Sequence, residues 1–174
     1  MDDATKGKTA NFDPQRFIDA QESVYATVLE ELADGNKRTH WMWFIFPQIA
    51  GLGSSETSKK FAIPSLQAAQ DYLAHPLLGA RLRECTSKIF IHADREPTTI
   101  FGDVDALKFR SSMTLFDVAA AEDETLFDVA LAIFFGGGRD HETLRTLDAY
   151  KLSLRRRTSA NTSTISAPGM PSVA

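Results

Sequence analysis

The chain has 174 residues, of which 43% are hydrophobic and 24% are charged, a composition typical of one folded domain with flanking segments. Its formal net charge of −4 argues against a protein that coats nucleic acid or an anionic membrane surface. No apolar run reaches the roughly 20 residues of a membrane-spanning helix, and the start of the chain lacks the apolar core of a secretion signal. Because Cys85 is the single cysteine, we expect a reducing compartment and predict a cytoplasmic protein.

The N-terminal part of the chain predicts a flexible segment followed by one long helix. Residues 1–11 are polar and are expected to be flexible. Between Asp13 and Gly35, hydrophobic residues recur at helical spacing. Asp13 can accept a hydrogen bond from the first free backbone amide, and Pro14 suits the first helical position. Gly35 supplies the left-handed residue that ends such a helix.

The segment that follows, RTHWMWFIFPQ at residues 38–48, contains both tryptophans of the chain. Six consecutive apolar residues run from Trp41 to Phe46, and polar residues bracket them. The apolar residues fall on both faces of a helix and on both faces of a strand, so periodicity leaves the two alternatives open. In either case the segment is too hydrophobic for a surface loop.

The middle of the chain predicts further helices separated by turns. Ser54 or Ser55 can cap a short helix, Pro64 begins another, and Pro76 restarts the chain into a third. Apolar residues of this third helix keep a helical spacing; they are Leu78, Leu82, Cys85, Ile89 and Phe90.

Three more helices are expected in the C-terminal half. The first begins near Asp103, the second ends at the glycines of residues 136–138, and Asp140 caps the third. A polar stretch, KFRSS, interrupts the first of these helices. Its residues available for the core are Val104, Leu107, Met113, Leu115 and Phe116.

The predicted fold class is therefore all-α, because no alternating strand pattern with hairpin turns is present. We expect a compact single-domain bundle of several helices over residues 12–154. Residues 155–174 are predicted to form a disordered tail, since from Thr158 onward the chain is rich in small and polar residues and has few large apolar ones.

Several other sequence patterns do not specifically indicate a functional site. The four histidines do not have metal-ligand spacing, and neither a metal nor a cofactor is predicted. The glycines of residues 136–138 and the turn GLGSS at residues 51–55 can either present amides to a phosphate or simply end and restart helices. A triad of His40 with Ser111 or Ser112 lacks a nucleophile elbow.

The strongest candidate site combines the tryptophan segment with the polar stretch of the later helix. Buried polar groups need partners, and cations beside hydroxyls suit a phosphate or carboxylate. We therefore predict a pocket for a small anionic ligand, nucleotide-like or phosphate-like, with a ring stacked on a tryptophan. Its predicted residues are Arg38, His40, Trp41, Trp43, Gln48, Lys108, Ser111 and Ser112.

A protein-interaction or regulatory module without a pocket is the alternative. The protein partner in that case is unknown, and catalysis is left open in both. An enclosed cavity favours ligand binding, whereas a broad exposed apolar patch favours the interaction module.

Four stretches of the sequence also resemble a known family: GNKRTHWMWFIFPQIAGLGSS, AAQDYLAHPLLGARL, IFGDVDALKFRSSMTLF and FFGGGRDHETLRTL. Together they are similar to the bacterial domain of unknown function family 1810 over residues 12–147, although Phe109 and Arg110 are bulkier or more charged than that pattern suggests. The resemblance implies a compact all-α domain and a short buried helix at the tryptophans. It implies no catalytic residues. A "calpastatin" label on some members conflicts with a packed core, because inhibitors of that kind are long disordered chains.

Overall fold

The structure, a computed structural model, describes residues 12–149 and residue 151. Over these residues the fold is an all-α bundle, as predicted, and its one β-type contact is an isolated bridge. The helices are α1 (Gln15–Glu22), α2 (Tyr25–Asp34), α3 (Met42–Ile45), α4 (Glu56–Lys60), α5 (Leu66–Ala74), α6 (Leu78–Lys88), a 3₁₀ turn (Ile89–His92), α7 (Pro97–Phe101), α8 (Asp103–Ala119), α9 (Leu126–Phe135) and α10 (residues 141–149). The predictions for residues 1–11 and 155–174 lie outside the described residues.

The long N-terminal helix predicted from the sequence is wrong, because the chain breaks between α1 and α2. Val24 has φ −117° and ψ −8°. Its backbone N–H donates to the carbonyl of Gln21, three residues earlier, instead of the carbonyl four residues earlier that an α-helix would use. The break lets α1 pack on α3 while α2 packs on α6. The predicted ends are confirmed: Asp13 accepts from the Gln15 amide at 3.0 Å, and Gly35 ends α2 with φ 64°.

Helix α8 runs through the centre of the bundle and packs against α5, α7 and α9. Phe109, which is fully buried, is its main anchor. Its ring lies 4.9 Å from those of Phe46 and Phe101 and 6.1 Å from that of Phe134, centroid to centroid. This cluster of aromatic rings fixes both α3 and α9 on α8.

The orientation of α8 differs from the predicted one in its first two turns. Val104 and Leu107, which were expected in the core, are 67% and 64% exposed. Ser112 and Thr114, from the polar interruption and the residues after it, are fully buried. Phe109 explains the difference, because its large ring takes the inward direction and turns Val104 and Leu107 toward solvent.

The tryptophan segment forms the short helix α3, which resolves the alternatives left open by periodicity. Ile45 and Phe46 are buried in the core. Directly after them the chain makes a single parallel bridge between Ile49 and Ile63, with the Ala50 amide donating to the Ile63 carbonyl at 2.8 Å. The bridge closes the segment of residues 49–63, which contains the rest of the loop after α3 and helix α4.

Candidate functional site

The two tryptophans of the segment have different surroundings. Trp41 is 1% exposed, and its indole Nε1 donates to Glu31 Oε2 at 2.8 Å. Trp43 is half-buried, and its indole N–H finds no partner within the described residues. Trp41 is thus a component of the core, whereas Trp43 is partly accessible and its indole N–H is unpaired within the described residues.

Glu31 of α2 accounts for the polar bracket before the tryptophans. Its carboxylate is 1% exposed and accepts from the backbone amides of Arg38 and Thr39 at 2.8 and 3.1 Å. It also accepts from the Thr39 hydroxyl at 2.8 Å and from Trp41. Burial raises the pKa of Glu31, but these hydrogen bonds outweigh burial, so the pKa lies below its ordinary value.

The side chains of Arg38 and His40 point away from this bracket. Both residues are exposed, and the Arg38 guanidinium pairs with Asp34 at 2.9 Å on the surface. Arg38 therefore contributes its backbone to the fold. Neither residue, nor Trp41, lines either of the two cavities that the other predicted site residues form.

A groove of about 450 Å³ lies where the loop after α3 faces α8 and the start of α10. We call it the Trp43 groove. Four of the predicted site residues line it, namely Trp43, Gln48, Lys108 and Ser111. Its other lining residues are Leu52, Gly53, Ser54, Ser55, Ser58, Val104, Leu107, Asp140 and Glu142. Residues about sixty positions apart in sequence thus meet in one groove.

Two ion pairs that share Asp105 connect the core to the Trp43 groove. The Lys108 ammonium lies 4.3 Å from the centroid of the Trp43 ring and 3.1 Å from Asp105. Asp105 also pairs with Lys37 at 2.7 Å, and Lys37 lies over the Trp41 ring. Burial raises the pKa of Asp105, but the two lysines outweigh burial and hold the pKa below its ordinary value. Two cations therefore share one carboxylate.

The acidic residues of the groove already have partners. Asp140 accepts from the Thr143 amide at 2.9 Å and from the Thr143 hydroxyl at 2.7 Å, which confirms it as the cap of α10. Glu142 forms an ion pair with Arg145. Asp140 keeps its negative charge, because the Thr143 donors are neutral, whereas the charge of Glu142 is paired with that of Arg145.

The hydroxyls of α8 fall into two groups. Ser111 lines the groove, and its Oγ donates to the Leu107 carbonyl at 3.1 Å, so its lone pairs can still accept from a ligand. Ser112 is fully buried, and its Oγ has no hydrogen-bond partner among the residues that the structure describes. The structure does not place Ser112 among the residues that line the groove.

A smaller cavity of about 150 Å³ adjoins the groove behind the loop of residues 48–53. We call it the loop cavity. It shares Trp43, Gln48, Gly53 and Ser58 with the groove. Its further lining residues are Ile49, Ala50, Gly51, Lys59, Phe61 and Ala62.

Sequence reasoning missed the residues that organise the site. Glu31 and Asp105 look like ordinary helix acids in sequence, one near the end of α2 and one in the first turn of α8. Lys37 was overlooked beside Arg38, although its side chain is the one that reaches Asp105. A signal for Glu31 did exist, because an acid among apolar neighbours at helical spacing faces the core.

Within residues 12–149 and residue 151, no group of three or more His, Cys, Asp or Glu side chains is placed to hold a metal ion. None of the helices in this part of the chain combines the length and apolarity that crossing a membrane requires.

Comparison with known proteins places the chain in a family. The model of a family described as "Protein of unknown function (DUF1810)" matches residues 11–147. The chain belongs to this family. The resemblance inferred from the four sequence stretches is thereby confirmed.

A solved structure shows the same fold. The conserved hypothetical protein Rv1873 from Mycobacterium tuberculosis is 49% identical to this chain, and the match covers 79% of this chain and 97% of that one with a TM-score of 0.76. A comparison with curated proteins found no match. Family and fold are therefore established, and the activity has to be argued from the site.

Proposed function

We propose that the Trp43 groove binds a small anionic ligand that carries a planar ring, such as a nucleotide or another phosphorylated ring compound. The observation that carries this proposal is the pairing of the half-buried Trp43 ring with the Lys108 ammonium, 4.3 Å from its centroid. The ammonium lies over one face of the indole, so the ring of the ligand would stack on the remaining exposed part of the indole while its anionic group binds the ammonium.

The charges around Lys108 support an anionic ligand. Lys37 and Lys108 share the carboxylate of Asp105, so these three side chains together carry one positive charge. The Lys37 side chain is 7% exposed and that of Lys108 is 21% exposed. An anion therefore reaches Lys108, whereas Lys37 holds Asp105 in place from behind.

Polar side chains of the groove suit the remainder of such a ligand. Within the described residues, no hydrogen bond occupies the side-chain amide of Gln48, which can donate and accept. Ser111 can accept at its hydroxyl. These are few and well-separated polar groups in a partly apolar groove, as in small-molecule sites generally.

The proposal is tested by titrating the full chain with nucleotides while intrinsic emission is recorded. The probes are AMP, GMP, CMP and UMP with their diphosphates, excited at the red edge of the tryptophan band. We expect a saturable change with at least one of them. Lys108→Gln should weaken this ligand about 10- to 100-fold, because a hydrogen bond to a charged group contributes about 1.5–3 kcal/mol.

Arg38→Gln is the matched control, because it also removes one cation. Within the described residues, the Arg38 side chain pairs with Asp34 on the surface and lies outside the groove. Equal weakening by both variants would indicate general electrostatic attraction and contradict a specific site. A lack of response to every probe would likewise contradict the proposal.

The exposed apolar residues at the rim of the groove favour a second candidate, a protein-interaction module. Val104 and Leu107 are three residues apart on α8, and both are more than 60% exposed. Under this alternative, a purified partner protein binds the wild-type chain but not Leu107→Ser, and no small molecule perturbs Trp43 emission.

We also propose that the protein acts in the cytoplasm. Cys85 is a free thiol, which supports a reducing compartment.

A further inference from the structure

We propose that the ligand of the Trp43 groove extends into the loop cavity, where Lys59 and the backbone amides of Gly51 and Gly53 bind a second anionic group. This inference rests on the proposed function. It specifies the ligand class as a ring compound with two anionic groups, such as a nucleoside diphosphate, in preference to one with a single anionic group.

The two cavities are neighbours with a common wall. Trp43, Gln48, Gly53 and Ser58 line both of them. A ligand stacked on Trp43 therefore lies beside the loop cavity without any movement of the helices. The difference in size, about 450 Å³ against about 150 Å³, assigns the ring to the groove and a compact group to the loop cavity.

The charge of the two linings differs. The Trp43 groove contains one lysine and two carboxylates, whereas the described residues that line the loop cavity include Lys59 and no acidic residue. Lys59 pairs with Glu56 at 3.3 Å, but the two side chains are 61% and 95% exposed. Such an exposed pair contributes little, so the Lys59 ammonium can turn to a ligand.

The loop itself offers backbone donors. The Ala50 amide is used by the bridge to Ile63, whereas the amides of Gly51 and Gly53 donate to no group within the described residues. Gly51 has φ 103°, and a Cβ there would meet no atom within 4 Å. Gly51 is therefore uncrowded on its Cβ side, whereas Gly53 packs against Ser58, whose side chain would lie 2.6 Å from an added Cβ.

Gln48 connects the two subsites. Its backbone carbonyl accepts from the Ile63 amide at 2.8 Å, which fixes the residue in the common wall. Its side-chain amide remains available to either part of the ligand. A ligand with two anionic groups would thus contact Lys108, Gln48 and Lys59 in turn.

The experiment compares each nucleoside diphosphate with its monophosphate on wild type, Lys59→Gln and Lys60→Gln. Lys60 is the matched control, because it precedes Phe61, lies over that ring and lines neither cavity. We expect the diphosphate to bind wild type about tenfold more tightly. Lys59→Gln should remove this preference and leave monophosphate affinity unchanged, whereas Lys60→Gln should retain it.

The outcomes separate this inference from the proposed function. Equal affinity of mono- and diphosphates for wild type, or equal weakening of both by Lys59→Gln, would overturn the second subsite. In that case a monophosphate response that depends on Lys108 would leave the proposed function intact. Loss of the preference in Lys60→Gln as well would also overturn the subsite, because it would reflect net charge alone. Absence of binding by all four pairs would overturn both.

Discussion

Replacing Glu31 by alanine tests whether the polar bracket of the tryptophan segment stabilises the fold. The carboxylate is buried and accepts four hydrogen bonds, from Arg38, from Thr39 twice and from Trp41. Without it, the Trp41 indole N–H has no partner in a site that is 1% exposed. The amides of Arg38 and Thr39 belong to exposed residues and can bond to water.

The expected loss of stability in Glu31→Ala follows from how exposed each of these donors is. A buried unsatisfied donor costs about 1–3 kcal/mol, and rehydrated amides cost much less. With the lost packing of the side chain, we expect Glu31→Ala to lower the free energy of unfolding by about 2–4 kcal/mol. Glu31→Gln keeps one accepting oxygen for the three N–H donors and places an NH2 group beside the Thr39 hydroxyl, which can accept, so we expect a smaller loss of about 1 kcal/mol.

Thermal and urea denaturation measure these losses. For a domain of this size, about 1 kcal/mol corresponds to roughly 3–5 °C in Tm, so Glu31→Ala should melt about 6–20 °C below wild type. Combining it with Trp41→Phe, which removes the donor, should cost less than the sum of the two single changes. A Glu31→Ala protein that melts within about 2 °C of wild type would refute this reasoning.

The pH dependence gives an independent check. The pKa of Glu31 lies below its ordinary value of 4.5 in the folded protein, so the unfolded chain takes up this proton first as the pH falls. The stabilisation is complete above the ordinary value and is lost as the pH falls through the folded pKa. The stability difference between wild type and Glu31→Gln should therefore be constant near neutral pH and shrink in acid. A difference that grows in acid would contradict the assignment.

Three further predictions concern other parts of the chain. Trp43→Phe should remove the emission response to nucleotides while Trp41→Phe keeps it; the reverse would place the ligand at the other indole. Gly79→Ala should destabilise the domain by more than about 3 kcal/mol in urea denaturation, since its Cβ would overlap the Leu73 carbonyl oxygen, whereas the helix-propensity control Ala80→Gly should cost about 1 kcal/mol. Ser112→Ala should leave stability unchanged or raise it by up to about 1 kcal/mol, because the buried Ser112 hydroxyl has no partner within the described part of the chain; a clear loss of stability would mean that this hydroxyl is hydrogen-bonded.

The sequence by itself determined the fold class and most of the helix boundaries. Local signals act within one or two turns, so they can be read without knowing the partners of a helix. Ser55 caps α4, Gly35 and Gly136 end their helices in the left-handed conformation, and Asp140 caps α10. Gly35 and Asp140 were predicted individually from residue type and position, whereas Ser55 was one of two candidate caps and Gly136 one of three glycines expected to end the helix.

Only the tertiary structure decided how the helices are broken and turned. The break after α1 and the outward direction of Val104 and Leu107 depend on which neighbours each helix meets. The same holds for the site. Four predicted residues, Trp43, Gln48, Lys108 and Ser111, line one groove, whereas Arg38, His40, Trp41 and Ser112 do not line it.

The difference between the two tryptophans has the same physical reason. Trp41 and Trp43 lie two positions apart and have the same chemistry in the sequence. Only the packing of α2 beside the segment gives Trp41 the carboxylate of Glu31, and only the approach of α8 gives Trp43 the ammonium of Lys108. These contacts join residues of different segments of the chain, so the periodicity within a single helix cannot predict them.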